Sequence, residues 1–509
     1  MPKASLTTEP SKVRCLLHRS AAAFAVLAVV TLGGWPSTAD ETPRPKIRVR
    51  RDIMSLAPDG PEMAALRKAV KVMKGRPATD PTSWTFQANI HATLDKSNPA
   101  WNQCQHGNYF FLPWHRMYAY WFERIVREAS GDPDFVLPYW NYVNPAARAL
   151  PEAFRVPADA SNPLFVAERN ADGGGVNNGA RLPAAVAASY WLPFRLTNFA
   201  TTSPTGAAFG GRVVDKPVHL MSTMGAFETY HNAMHVLIGG ESGFMSDPFG
   251  SARDPVFWPH HVNVDRLWKR WLDQGGGRAN PLNDRAWMDM KFPFFDEKGR
   301  KVEMSVRECL NTEELGYRYD DDPSSAAEPR PGPIAAQAGP LKKLAVSKVP
   351  GELGTDGPVR VTMDLGDEAQ AAVRKDGNLV LFVEGIKFEK EPMVIYEVYL
   401  NLPAKEPADF QSVHFVGNLV FAGLDPRAFM AHHGIKKKGQ KKEADETYLS
   451  SLRAFDVTDV VRELRARKLW QDQQLTVTFV MNGLVPVKGR PVTSAGVKAQ
   501  FERVTLLGN

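Results

Sequence analysis

Histidine is the residue whose placement carries chemical information in this chain. Of twelve histidines, seven fall in four short segments. His91 lies near the end of SWTFQANIHATL. His106 and His115 lie at the two ends of the aromatic run in CQHGNYFFLPWHRMY. His231 and His235 stand in YHNAMHVLIGG, and His260 and His261 in DPVFWPHHVNVDRLWKRW. Helix positions four apart share a face, so His231 and His235 can approach one metal ion from one side. Such a pair alone is commoner on an ordinary helix than at a metal. The balance changes because further histidines occupy aromatic, helix-like runs. His115 follows Pro113-Trp114 at the start of a helix running through Tyr118, Phe122 and Ile125. Asp254-Pro255 reads as a helix start ahead of His261, with Asp at the cap and Pro at the first position.

Three plus three histidines suit two metal ions, each with an open side. No Asp or Glu stands among them at ligand spacing. An all-imidazole set points away from magnesium, calcium and di-iron sites and toward copper or zinc. A zinc hydrolase usually brings a carboxylate as ligand or general base. Two copper ions held a few Å apart by neutral imidazoles can bind dioxygen, which is redox chemistry that zinc cannot perform.

The elements that must position these residues divide into two regions. Residues 40–322 are aromatic-rich with helical periodicity. Residues 323–340 (PSSAAEPRPGPIAAQAGP) have the composition of an extended, exposed linker. In residues 341–509, VRVTMDL, LVLFVEGIKF, VIYEVYLNL, VHFVGNLVF and LTVTFVMN are short β-branched runs that suggest a sandwich or barrel. One helix, Val457 to Lys468, interrupts them. The basic run Lys436 to Lys442 reads as a solvated loop, and no internal repeat is visible.

With 509 residues the prior is two to four domains. Composition is ordinary globular, with 43% hydrophobic and 23% charged residues. Three cysteines cannot build a disulfide framework. Residues 1–39 read as a secretory signal. Arg14 and Arg19 precede an apolar run from Ala21 to Leu32, Gly33, Gly34 and Pro36 break it, and Ser37-Thr38-Ala39 offers a cleavage site. Cleavage would remove Cys15 and leave 58 basic against 55 acidic residues. A net charge of +3 gives no argument for nucleic acid or a membrane surface. The expected product is exported, periplasmic or secreted, and has no membrane span.

HGNYFFLPWHR and DPVFWPHHVNVDRLW resemble the two copper-site signatures of the type-3 copper proteins: tyrosinases, catechol oxidases and molluscan haemocyanin units. The resemblance implies a copper A site from His91, His106 and His115. It implies a copper B site from His231, His235 and His261, with His260 behind it. IRVRRDI resembles the opening strand of plant polyphenol oxidases, and LNTEELGYRYDD their Tyr-x-Tyr segment, with Tyr317 and Tyr319. The implied fold is a four-helix bundle holding two coppers, followed by a β-rich sandwich-like shielding domain. CQH resembles the Cys-x-His pair that some members crosslink, here Cys104 to His106, whereas Cys309 reads as a core residue. Glu228 and Asn232 resemble the pair proposed to hold a proton-accepting water, though Glu228 stands one residue closer to its histidine than in plant members. Phe249 or Phe244 stands near the family's gate. The implied activity is oxidation of o-diphenols to o-quinones by dioxygen, with o-hydroxylation of monophenols. It is expected to be latent until proteolysis, mild detergent or acid displaces the C-terminal region. The rival readings are a haemocyanin-like oxygen carrier and a binuclear zinc hydrolase.

Overall fold

The helices form where apolar residues recur at helical spacing and a cap fixes the start. The computed structural model describes residues 46–170, 175–202, 208–217, 225–240, 243–322, 341–354, 356–375, 377–388, 392, 394–421, 452–485 and 498–509, with the backbone of 334–335. The signal segment 1–39, the Lys436 to Lys442 run and most of the 323–340 linker lie outside them. Helix α1 (Pro61–Gly75) buries Met63, Leu66, Val70 and Met73 along one stripe and packs on α3. Ser83 caps α2 (Trp84–His91) by accepting the Phe86 N–H at 3.1 Å. Helix α3 (Phe111–Ser130) ends at Gly131, whose φ of +72° suits glycine. Two short helices, α4 (Ala184–Ala188) and α5 (Trp191–Arg195), precede α6 (Ala226–Gly239) and α7 (Phe257–Asp273).

The start of α7 differs from the sequence expectation. The helix begins at Phe257, not at Asp254-Pro255. Asp254 is held by the Arg169 guanidinium, 2.7 and 2.8 Å away, with both side chains fully buried. It still accepts the Val256 N–H at 3.0 Å. Pro259 falls in the first turn, where a backbone N–H has no helical acceptor to lose.

A buried ionic cluster ties α3 to α7. Asp265, one turn beyond His261, accepts from Arg116 on α3, from Arg50 at 3.3 Å, and from the Tyr317 and Tyr319 hydroxyls at 2.6 Å. Arg50 also donates to Glu123 of α3 at 2.9 Å and lies 3.6 Å above the Tyr317 ring. The backbone carries the same link, because strand Arg48–Arg50 pairs in parallel with Tyr317–Tyr319. The cationic partners hold the Asp265 carboxyl below its ordinary range despite burial.

Beyond residue 341 two four-stranded sheets enclose a second apolar core. One sheet orders Val359–Asp364, Gln474–Asn482, Ile395–Leu400 and Phe415–Leu419. The other orders Arg453–Asp456, Leu379–Glu384, Arg503–Gly508 and Lys342–Val346. All five runs read from sequence are strands, and the expected helix spans Thr458–Ala466. The two regions are nonetheless one compact unit from Pro45 onward. Ile395, Val420 and Leu484 join the helical core, and Arg181 and Val485 exchange backbone bonds at 2.6 and 2.7 Å. Within the linker, Ile334–Ala335 pairs in parallel with Ala200–Thr201, so this part is docked as a strand. Among the described residues no helix is long and apolar enough to cross a membrane.

Candidate metal centre

Four helices and one loop bring the seven histidines together. His91 is the last residue of α2, His115 lies in the second turn of α3, His231 and His235 share a face of α6, and His260 and His261 lie in the first turns of α7. His106 comes from the loop before α3. Gly107 follows it at φ +70°, a conformation that favours glycine. The Nε2 atoms of His91 and His106 are 3.3 Å apart, as are those of His231 and His261; those of His231 and His235 are 2.9 Å apart. The His115 and His261 rings stack at 4.4 Å and 10°, so the two histidine groups meet face to face. Two phenylalanines wall the cluster: Phe111 against His106, His115 and His231, and Phe257 against His91 and His261.

Which nitrogens carry hydrogen follows from their outer partners. His115 Nδ1 lies 2.8 Å from the Phe111 carbonyl and His235 Nδ1 lies 2.7 Å from the Met245 carbonyl. A carbonyl only accepts, so both Nδ1 atoms are protonated. Burial pushes His235 down to about 4 and His106 to about 3, and lowers His115, His231 and His261 as well. The rings are therefore neutral near pH 7, and Nδ1–H leaves Nε2 as a bare lone pair. His231 Nδ1 meets Asn232 Oδ1 at 2.9 Å, which makes its Nε2 bare too. The 2.9 Å between Nε2 of His231 and His235 is then a meeting of two lone pairs with no hydrogen between them. His115 Nε2 is buried with no hydrogen-bond partner among the described residues. Such an arrangement is unfavourable alone and suits a cation that accepts several imidazoles. The donor set fits copper, with outer hydrogen bonds fixing each ring.

Glu228 is placed where the sequence did not aim it. One carboxylate oxygen lies 2.9 Å from His106 Nδ1, and both accept the Gly107 N–H, at 2.9 and 3.0 Å. Burial raises the Glu228 carboxyl to about 8, so the contact with neutral His106 is a hydrogen bond more than an ion pair. Glu228 and Asn232 thus each orient one histidine, in opposite halves of the cluster. Cys104 is buried, and its Sγ lies within 4.8 Å of ring nitrogens of both His91 and His106. Cys309 is a core residue. Phe249 is partly buried against the helical core. Phe244 lines a surface cleft with Lys74, Trp84 and Arg253 that none of the seven histidines lines. Sequence reasoning missed the Phe111 and Met245 carbonyls, the Phe257 wall and Tyr142, whose hydroxyl lies 3.0 Å from His260 Nδ1. A backbone carbonyl leaves no trace in residue identity. The FF pair and the aromatic before HH were the available signals for the walls.

Residues 81–274 match the family model described as the common central domain of tyrosinase, and residues 281–332 the polyphenol oxidase middle domain. The chain belongs to the tyrosinase and polyphenol oxidase family. It is thereby placed among phenol-oxidising oxidoreductases, a family that implies a dinuclear copper site. Residues 333–493 match a domain of unknown function. The tyrosinase HcTyr1 of Hahella sp. is 29% identical over 479 residues, covering 85% of this chain and 95% of that protein. A chloroplastic polyphenol oxidase of Malus domestica is also 29% identical, over 477 residues, covering 85% and 74%. The structure of latent apple tyrosinase superposes with a TM-score of 0.59 at 23% identity, covering 91% of this chain and 98% of that one. At that identity the likeness shows the fold, including the β-rich region that follows the helical core.

Proposed function

We propose that this tyrosinase-family chain oxidises o-diphenols to o-quinones and hydroxylates monophenols, using two copper ions. His91, His106 and His115 hold one ion; His231, His235 and His261 hold the other, with α2, α3, α6 and α7 as the bundle around them. The observation that carries the reading is the convergence of ring nitrogens from six histidines, with Nε2 atoms 2.9 to 3.3 Å apart and those of His231 and His235 meeting lone pair to lone pair. Copper, when bound there, supplies the electron transfer that couples phenol oxidation to reduction of dioxygen.

The chain's own residues supply orientation and exclusion of water. The carbonyls of Phe111 and Met245 fix the tautomer and tilt of His115 and His235. Phe111 and Phe257 wall the histidine cluster with apolar surface, which excludes water from its flanks. A Cys104–His106 thioether would lock the one metal-binding histidine that comes from a loop. A free phenol titrates near pH 10, so hydroxylation needs a proton acceptor; Glu228, once ionised above its raised value of about 8, would supply a carboxylate beside His106, and Asn232 holds His231. Glu228→Gln keeps an acceptor for His106 but removes the carboxylate. It should lower tyramine hydroxylation relative to 4-methylcatechol oxidation by about a hundredfold or more, the scale of one positioned proton-transfer group. Equal falls in both rates would leave Glu228 a purely orienting group. Dioxygen binding with no turnover of 4-methylcatechol, in a linker-cleaved chain holding two coppers, would show a carrier instead.

A further inference from the structure

We propose that His260 is a fourth nitrogen donor to the ion position of His231, His235 and His261, used while the ion is loaded or lost. The inference rests on the reading that those three histidines hold copper. One ring nitrogen of His260 lies within 4.8 Å of a ligand nitrogen on each of the three. The His260 ring touches all of them: it stacks on His231 at 4.9 Å and 24°, and meets His235 and His261 edge-on at 4.9 and 5.0 Å. The side chain is fully buried.

The two nitrogens of His260 are treated unequally. Nδ1 is held by the Tyr142 hydroxyl at 3.0 Å, and Tyr142 is itself fully buried with its ring 5.7 Å from His260. Nε2 is buried and has no hydrogen-bond partner among the described residues. A histidine kept only for packing would satisfy both nitrogens or be replaced by phenylalanine, because an unpaired buried polar atom is destabilising. Tyr142 fixes the ring through Nδ1, so the imidazole stays in contact with all three histidines. Three neutral imidazoles leave the ion an open side for substrate and dioxygen. His260 would add a fourth nitrogen to that set while the ion enters or leaves, from the ring position that Tyr142 holds. No proton or electron needs to move for this exchange of one dative bond.

The test compares copper release from the copper-loaded mature chain and from His260→Gln and Tyr142→Phe. The readout is the rate at which copper passes to excess EDTA, together with copper per chain at saturation. Both variants should still take up two coppers, since six ligands remain. Half of the copper in His260→Gln should leave faster by about tenfold, the lower end of what a lost supporting contact does to metal affinity. Tyr142→Phe, which keeps the imidazole but frees its ring, should show a smaller change in the same half. Release at the wild-type rate in both variants overturns the proposal. Only one copper per chain in His260→Gln also overturns it, because His260 would then be a permanent ligand. If His260→Gln does not fold, Tyr142→Phe decides. Failure of the underlying reading looks different: His231→Ala and His261→Ala would then leave two coppers bound.

Discussion

A histidine pair four residues apart is legible in any sequence; whether it binds metal depends on what lies behind each ring. His235 shows the difference. Its Nδ1 is pinned by the Met245 carbonyl, so its Nε2 has no hydrogen and no partner but other lone pairs. His235→Ala should therefore cut copper from two ions per chain to about one and abolish catechol oxidation, because metal sites depend on ligand count. Unchanged copper by elemental analysis would refute the assignment. Cys104 supports a second expectation at this scale. Its buried Sγ beside His106 predicts a mature, copper-loaded chain lighter by about two hydrogens than its unlinked form, the mass change of joining one thiol to one ring carbon. A Cys104 that alkylates fully in the unfolded protein would exclude the bond. The six ligands proposed here could be read from spacing and resemblance, and the structure brings them together. The use of Glu228 could not. Sequence places it three residues before His231, but α6 turns it toward His106, on the other half of the cluster.

At the scale of elements, the centre depends on how α3 and α7 are held, since His115 and His261 stack across that contact. Arg116 follows His115 directly, Asp265 stands one turn after His261, and the two side chains meet. Asp265→Asn leaves Arg116 buried without its carboxylate partner and Arg50 with Glu123 alone. Breaking a buried pair on one side costs about 3–5 kcal/mol, so the urea midpoint should fall markedly, and copper should be retained less well in the folded fraction. Ser83→Ala removes the cap of α2, which carries His91, and should cost about 1 kcal/mol by the same measurement. A smaller loss for Asp265→Asn than for Ser83→Ala would mean the cluster is not what fixes α3 against α7. The Tyr-x-Tyr segment and the Arg-containing opening strand were recognisable in sequence as pieces of a family pattern. Their meeting at Asp265 was not, because the partners lie 52 to 215 residues apart. The start of α7 was misplaced for a related reason. Asp254 looks like a cap locally, and only Arg169, 85 residues away, gives it another task.

At the scale of the whole molecule, the question is what keeps the β-rich region against the helical one. Along strand Ile395–Leu400, alternate residues face opposite ways. Ile395 joins the helical core, and Tyr399 packs with Phe415, Trp191 and Leu192. Glu397 lies between them on the same face, so a carboxyl is buried in the seam. It accepts from the Tyr399 hydroxyl and the Asn482 amide. No described cation pairs with it; Arg195 on α5 is paired with the exposed Asp459. Burial holds the Glu397 carboxyl above its ordinary range, and Asp409 adds to this, while the bonds from Tyr399 and Asn482 pull the other way. The closed seam therefore binds this proton more tightly than an open one would. Its contribution to closure is full below the ordinary carboxyl value of about 4.3 and is lost as pH rises through the raised one. For this group acid favours closure and rising pH favours opening, the reverse of the acid activation expected from sequence. Latency then has a test with a sign. Cutting within 323–340 and removing the β-rich region should raise turnover of a bulky o-diphenol at constant copper. The ratio of uncut to cut activity, measured at each pH so that the centre's own dependence cancels, should climb as pH rises from about 5. Glu397→Gln keeps acceptor and donor atoms but does not titrate, and should flatten that climb. A ratio that rises toward acid in both proteins would assign opening to another group, and a ratio of one throughout would show that the β-rich region does not shield the centre.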